Sequence, residues 1–113
     1  MESISIKMPG PKTFRQLALA CPETVELPHF DKASFRVNKK IFATLSEEKN
    51  LGMLMLTPEE QYVYCKFDPE AFAPVPGKWG LKGCTHVHLK KVKNTVLKEA
   101  MEAAYMGKVR KKK

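Results

Sequence analysis

The stretch from Ser34 to Leu45, Ser-Phe-Arg-Val-Asn-Lys-Lys-Ile-Phe-Ala-Thr-Leu, decides the fold of this 113-residue chain. In its first half, Phe35 and Val37 alternate with polar residues, which is the period-two pattern of a half-buried strand. Residues 41–45 are suited to a returning strand, and Asn38 between the two runs tolerates the positive φ of a tight turn. The stretch therefore predicts a β-hairpin with two lysines at its tip.

Helices are predicted on both sides of this hairpin. The sequence Thr13-Phe14-Arg15-Gln16 has the form of a capping box, and apolar residues continue from it at helical spacing. A second helix start, Thr57-Pro58-Glu59-Glu60, combines a cap, a proline at the first position and acidic residues near the positive end of the helix dipole. The last helix is expected to begin at Asn94 or Thr95 and to stop at Gly107.

The remaining segments predict further strands and one long loop. Residues 24–30 favour a strand that Pro28 either places at a sheet edge or ends. The apolar run 51–56 suits a central strand that is either covered on both faces or covered on one face with an apolar groove on the other. Residues 68–83 predict a loop, and residues 83–92 alternate again. This order predicts an α+β, two-layer sandwich, with the N- and C-terminal helices packed on one face of an antiparallel sheet.

The formal net charge is +8, and the excess is uneven along the chain. Residues 71–98 contain six lysines and no acidic residue, whereas residues 1–70 are close to neutral. We expect a loose leader at 1–12, one domain at 13–107 and a basic disordered tail at 108–113. The start of the chain lacks the features of a signal peptide, and no apolar run is long enough for a membrane span, so we expect a cytoplasmic protein. We also expect a monomer.

Motifs for catalysis or cofactor binding are missing from the sequence. No nucleophile elbow or P-loop is present, and the glycines at 77, 80 and 83 lack the strand-before, helix-after context of a dinucleotide site. We therefore expect no enzyme activity and no cofactor. His86 and His88 lie two apart on a predicted strand and could supply two metal ligands, with His29 as a distant third; the simpler interpretation is a solvated polar face.

Basic residues form the stronger functional pattern. Arg36, Lys39 and Lys40 belong to the hairpin, and Lys78 and Lys82 flank Trp79 in the long loop. Lysines on two projecting loops with an aromatic ring between them fit contacts to phosphates plus a stacking ring. A purely solvated basic surface is the alternative.

Four segments together resemble the MmcQ/YjbR family. They are Leu19-Ala20-Cys21-Pro22-Glu23; Phe35-Arg36-Val37-Asn38-Lys39-Lys40-Ile41-Phe42-Ala43; Val75-Pro76-Gly77-Lys78-Trp79-Gly80-Leu81-Lys82-Gly83 followed by Thr85-His86-Val87-His88-Leu89; and Ala103-Ala104-Tyr105. The resemblance implies a frataxin-like α+β domain with a DNA-binding role through two projecting β wings. On this chain the wings would be the Arg36–Ile41 hairpin and the Gly77–Gly83 loop with the strand that follows it.

Two functional hypotheses follow. The first is a non-enzymatic domain that binds double-stranded DNA with little sequence specificity, through Arg36, Lys39, Lys40, Lys78, Trp79, Lys82 and Lys90. The second is a small-molecule or protein-binding module. Its apolar groove would lie between the sheet and the Pro/Gly-rich loop, would use Met53, Met55, Phe72 and Trp79, and would be rimmed by His86 and His88.

Overall fold

The computed structural model describes residues 9–109 of the chain. Within this range the chain forms four helices and six strands in the order α1, β1–β4, α2, β5, α3, β6, α4. Their bounds are α1 Pro11–Leu19, β1 Val25–His29, β2 Lys32–Val37, β3 Lys40–Ser46, β4 Leu51–Met55, α2 Pro58–Phe67, β5 Phe72–Pro74, α3 Lys78–Leu81, β6 Cys84–His88 and α4 Asn94–Val109.

The strands form one antiparallel sheet in the order β1-β2-β3-β4-β6-β5. Helices α1 and α4 pack against each other and across the central strands β3 and β4. The core lies between these helices and the sheet, where Phe14, Phe35, Leu54, Leu97 and Met101 are almost completely buried. The predicted α+β two-layer sandwich is confirmed. Within residues 9–109, no helix has both the length and the apolar character needed to cross a membrane.

The predicted hairpin is formed by β2 and β3, joined at a two-residue tip. Asn38 and Lys39 have φ angles of 53° and 66°, so both tip residues adopt the left-handed conformation of a tight hairpin turn. The register shifts within the hairpin, because Phe35 lies opposite Ala43 whereas Arg36 lies opposite Ile41. This bulge allows two consecutive residues of β3, Phe42 and Ala43, to belong to the hydrophobic core.

Strand β4 is covered on one face only. Leu54 is fully buried beneath the helices, whereas Met53 and Met55 on the opposite face are half-buried. Gly52 lies against the ring of Phe14, and a Cβ atom at position 52 would stand 2.3 Å from Phe14 Cε2. Of the two interpretations of this apolar run, the one with a groove on the uncovered face is correct.

Three predictions about local structure are wrong. Helix α1 begins at Pro11 with Gly10 as its N-cap, and no side chain caps it, because proline is favourable at the first helical position and Thr13 falls inside the first turn. Helix α4 continues through Gly107 to Val109. Residues 68–83 contain β5 and α3 as well as loop. Residues 1–8 of the expected leader and 110–113 of the expected tail lie outside the described range.

Helix α2 begins as predicted. Thr57 Oγ1 accepts a hydrogen bond from the Glu60 backbone N–H at 3.1 Å, and Glu60 Oε1 accepts one from the Thr57 backbone N–H at 2.9 Å, which completes the capping box. The helix packs along β5 and β6 at the sheet edge and contributes no fully buried residue. Phe67 in its last turn is 68% exposed.

Candidate functional site

The uncovered face of the sheet carries a groove with a cavity volume of about 770 Å³, which we call the sheet groove. Its floor is set by the register of the central strands, because Met53 lies opposite His86 and Met55 lies opposite Cys84. The apolar side chains that line the groove are Ile41, Leu51, Met53, Met55, Val75 and Trp79. Residues that line the groove occur along β3 from Lys40 to Ser46, and the seven residues of this strand correspond to a length of roughly 20 Å.

Cationic side chains surround this apolar floor. Six lining residues carry a positive charge, and none of the described residues that line the groove is acidic. Lys32 and Lys49 lie near the turns that join β1 to β2 and β3 to β4. Lys39, Lys40 and Lys108 lie at the hairpin end of the groove, and Arg36 lies between the two groups. A ligand in the groove would therefore meet apolar surface below and positive charge along its rim.

The β2 strand fixes the orientation of Arg36. The Arg36 Nε–H donates to Ser34 Oγ at 3.0 Å, and the Ser34 hydroxyl donates to the Leu27 carbonyl at 2.9 Å. Ser34 is fully buried, so these two hydrogen bonds connect the Arg36 side chain to β1 through a group that is shielded from solvent. Within residues 9–109, Arg36 makes no ion pair with a carboxylate. Its charge is therefore available to an anionic ligand.

Trp79 closes the hairpin end of the groove and is 59% exposed. It lies on the short helix α3, where a Cβ atom at Gly80 would stand 1.8 Å from the Val75 carbonyl oxygen, so only glycine permits this approach of the two backbones. The Gln61 side-chain amide donates to the carbonyls of Gly80 and Cys84, both at 2.9 Å. Helix α3 is thereby attached to both α2 and β6.

Acidic residues near the other end of the groove lie on the helix-covered side of the sheet. A separate depression there is lined by residues that include Glu26, Asp31, Glu47 and Glu48. Arg15 on α1 pairs with Glu26 and Glu47, and the hydrogen bond to Glu47 is the main cause that raises the pKa of Arg15. The sheet therefore separates the paired acidic residues from most of the groove's cations. Lys32 lines both depressions and has an exposed contact with Asp31 at 3.4 Å.

Titratable groups on the groove floor favour their neutral forms. Burial is the main cause that lowers the pKa of His86, and the nearby charges of His88, Lys32 and Lys49 lower it further. Burial also raises the pKa of the Cys84 thiol. Among the described residues, no group of three or more His, Cys, Asp or Glu side chains is placed to hold a metal ion. The His86–His88 pair thus has no third ligand of these types within residues 9–109.

The structure brings together four of the seven predicted contact residues. Arg36, Lys39, Lys40 and Trp79 line the sheet groove. Lys78 on α3 and Lys82 just after it are exposed beside the groove, and Lys82 Nζ lies 5.2 Å from the centre of the Trp79 ring. Lys90 is exposed beyond the far end of β6, next to Leu89, whose backbone N–H donates to Asn50. The seven residues therefore do not form one cluster.

Three details of the predicted site are wrong. The loop of the second wing contains a single helical turn at residues 78–81, so only the strand that follows it, β6, is a β structure. Phe72 does not line the groove, because β5 places it opposite Val87 on the helix-covered face, where its ring packs 5.2 Å from the Tyr64 ring. His88 is exposed on the same face as His86 but does not line the groove.

Three lining cations were not among the predicted contacts. They are Lys32, Lys49 and Lys108. Lys32 begins β2 and shares a face with Ser34 and Arg36, so the period of two was the signal that could have identified it. Lys49 lies in the turn between β3 and β4. None of the six lysines of residues 71–98 lines the groove, although that segment has the largest uncompensated charge.

Comparison with known proteins identifies the family. The family model described as YjbR matches residues 19–106. The chain belongs to the YjbR family. The crystal structure of Deinococcus radiodurans protein DR2400, which contains a DUF419 domain, is similar to this YjbR protein with a TM-score of 0.77. The similarity covers 94% of this chain and 84% of that one at 19% sequence identity, and it shows the shared fold. No curated protein has a significantly similar sequence.

Proposed function

We propose that this YjbR protein is a non-enzymatic DNA-binding domain that holds DNA at the uncovered face of its sheet. The observation that carries the proposal is the lining of the sheet groove, which has six cationic side chains and no acidic one among the described residues. A polyanion is the ligand that such a lining favours, because each phosphate contact releases condensed counterions. The hairpin tip, with Lys39 and Lys40 both exposed, supplies the projecting part of this surface.

Contacts to phosphates would dominate the affinity in this proposal. The rim side chains are mostly lysines, which act as mobile point charges, and Arg36 is the one arginine among the described residues that line the groove. Among the described residues, helices reach the groove only through Trp79 of α3 and Lys108 of α4, so readout of base edges is expected to be slight. The binding unit in this proposal is a cytoplasmic monomer, and the α3 turn beside the groove adds Lys78, Lys82 and the Trp79 ring.

Two double variants that remove equal charge test the proposal. Lys39→Ala/Lys40→Ala removes two groove cations, whereas Lys66→Ala/Lys98→Ala removes two exposed lysines from helices outside the groove. Binding of fluorescent DNA is measured by anisotropy over a range of salt concentrations. The groove variant should bind more weakly and lower the salt slope by about 2, because roughly one counterion is released per lysine contact. Equal losses in both variants would contradict binding at the groove.

A small anionic molecule with an apolar body is the second candidate ligand. The cavity volume of about 770 Å³ lies within the usual range for small-molecule sites, and the methionine floor suits adaptable apolar contacts. The dependence of affinity on the length of the nucleotide ligand separates the two functions. If the groove binds DNA, affinity should rise steadily from dinucleotides to oligonucleotides that span the floor. A mononucleotide that binds as tightly as the longer oligonucleotides would favour the small molecule.

A further inference from the structure

We propose that the DNA held by the sheet groove is single-stranded, with its bases against the apolar floor and its phosphates along the basic rim. This inference rests on the proposed function and specifies its ligand. In a duplex the faces of the bases are stacked on one another, and only phosphates, sugars and base edges are exposed. A single strand exposes the base faces to aromatic and apolar side chains.

The floor of the groove is the first observation that favours a single strand. Ile41, Leu51, Met53 and Met55 present apolar surface from adjacent strands, and no described helix covers it. The phosphate surface of a duplex would contact the rim and leave this apolar concavity unfilled. The flat apolar face of a base can displace water from it, which makes the floor part of the binding energy.

Trp79 is the second observation. Its ring is 59% exposed at the end of the groove although the backbone around it is tightly held by Gly80 and Gln61. An exposed ring on a rigid support loses little conformational freedom on binding, which suits a stacking platform. Lys82 above the ring adds a cation beside the position that a stacked base and its phosphate would take.

The arrangement of charge is the third observation. Cations lie at both ends of a floor roughly 20 Å long, with Arg36 between them. A chain that alternates planar apolar groups with single negative charges matches this pattern over several nucleotides. A compact anion would engage only one end of the groove.

Three probes of equal length test the inference with the full chain. They are oligothymidine of about 12 nucleotides, an abasic strand with the same number of phosphates, and a duplex. Anisotropy should show that oligothymidine binds at least about tenfold more tightly than either of the other two, because only it offers unstacked bases. A duplex that binds as tightly as oligothymidine, or an abasic strand that does so, would overturn the inference and leave DNA binding intact. Failure of all three probes to bind would overturn both proposals.

Substitution of Trp79 supplies a matched test. Trp79→Ala should weaken oligothymidine binding by about tenfold and leave the salt slope and the abasic affinity unchanged, because the ring is uncharged. Phe67→Ala removes an aromatic ring of similar exposure outside the groove and should change neither affinity. Trp79 is the only tryptophan of the chain, so oligothymidine should also quench its emission in the unmodified protein. Unchanged emission at saturating oligothymidine would contradict stacking on Trp79.

Discussion

A single missing side chain at Gly52 allows helix α1 to approach the sheet. A Cβ atom there would meet Phe14, which is itself completely buried and has no space to move into. We predict that Gly52→Ala lowers the free energy of unfolding by about 1–3 kcal/mol through overpacking. Urea denaturation measures the change. Gly107→Ala is the control, because nothing lies within 4 Å of its Cβ position inside α4, and it should stabilise by about 0.5–1 kcal/mol. Stabilisation by both variants would contradict this packing.

Prediction from sequence succeeds at residues whose role is local. Asn38 was expected at a positive φ and has one, and Thr57 was expected to cap a helix and does so. The prediction that Phe72 lines the groove was wrong because the face of the sheet on which Phe72 lies depends on β5, a strand of three residues that forms only by pairing with β6. No local pattern of that length distinguishes a strand from a loop.

His86 gives the protein a pH dependence that follows from its position on the groove floor. Burial lowers its pKa in the folded state, so below the ordinary histidine pKa of about 6.5 the unfolded chain takes up a proton more readily than the folded protein does. Stability should therefore fall as the pH decreases from 7 toward 5. His86→Gln should reduce this dependence, as measured by urea denaturation at a series of pH values. Identical slopes for the two proteins would show that His86 does not contribute.

At the scale of elements, α2 is attached to the segment that carries Trp79, although none of its described residues lines the groove. Both donors of the Gln61 amide are used, one toward Gly80 on α3 and the other toward Cys84 on β6. We predict that Gln61→Met, which keeps the length of the side chain, costs about 1–2 kcal/mol because two carbonyls lose their donor. It should also shift the emission of the single tryptophan.

The control for this prediction is Gln16→Met, at an exposed glutamine of α1 for which the described residues provide no side-chain hydrogen bond. It should leave the stability and the emission unchanged. An unaltered spectrum in Gln61→Met would mean that Gly80 and its close contact with Val75 hold α3 alone. In that case α2 would support the fold but not the orientation of the ring.

The elements themselves were predictable where the hydrophobic period was long. The β2–β3 hairpin, β4, β6 and the buried stripe of α4 all follow from apolar alternation or helical spacing in the sequence. Helix α3 was missed because four residues are too few to show a period. Gly107 was misjudged because helix interiors tolerate glycine at a cost of only about 1 kcal/mol, which the packing of the rest of α4 offsets.

At the scale of the whole molecule, charge counted along the chain does not show where charge collects in space. Five of the six groove cations come from residues 1–70, the part of the chain that is close to neutral. That part is close to neutral because its acidic residues balance its cations in number. Several of these acidic residues, however, lie on the helix-covered side of the sheet or pair with Arg15. Only the sheet register reveals this separation, so the basic groove could not be inferred from net charge.

Residues 110–113 add four positive charges after Val109, the last described residue. A chain that ends at Val109 should bind DNA more weakly than the full chain at low salt, because four charges no longer attract the phosphates. Lys39→Ala/Lys40→Ala should weaken binding by the same factor in the truncated protein as in the full chain, because truncation at Val109 leaves the sheet groove intact. Anisotropy titrations at two salt concentrations measure these ratios. If truncation abolished the effect of the double variant, the affinity would arise from residues 110–113 and not from the folded groove.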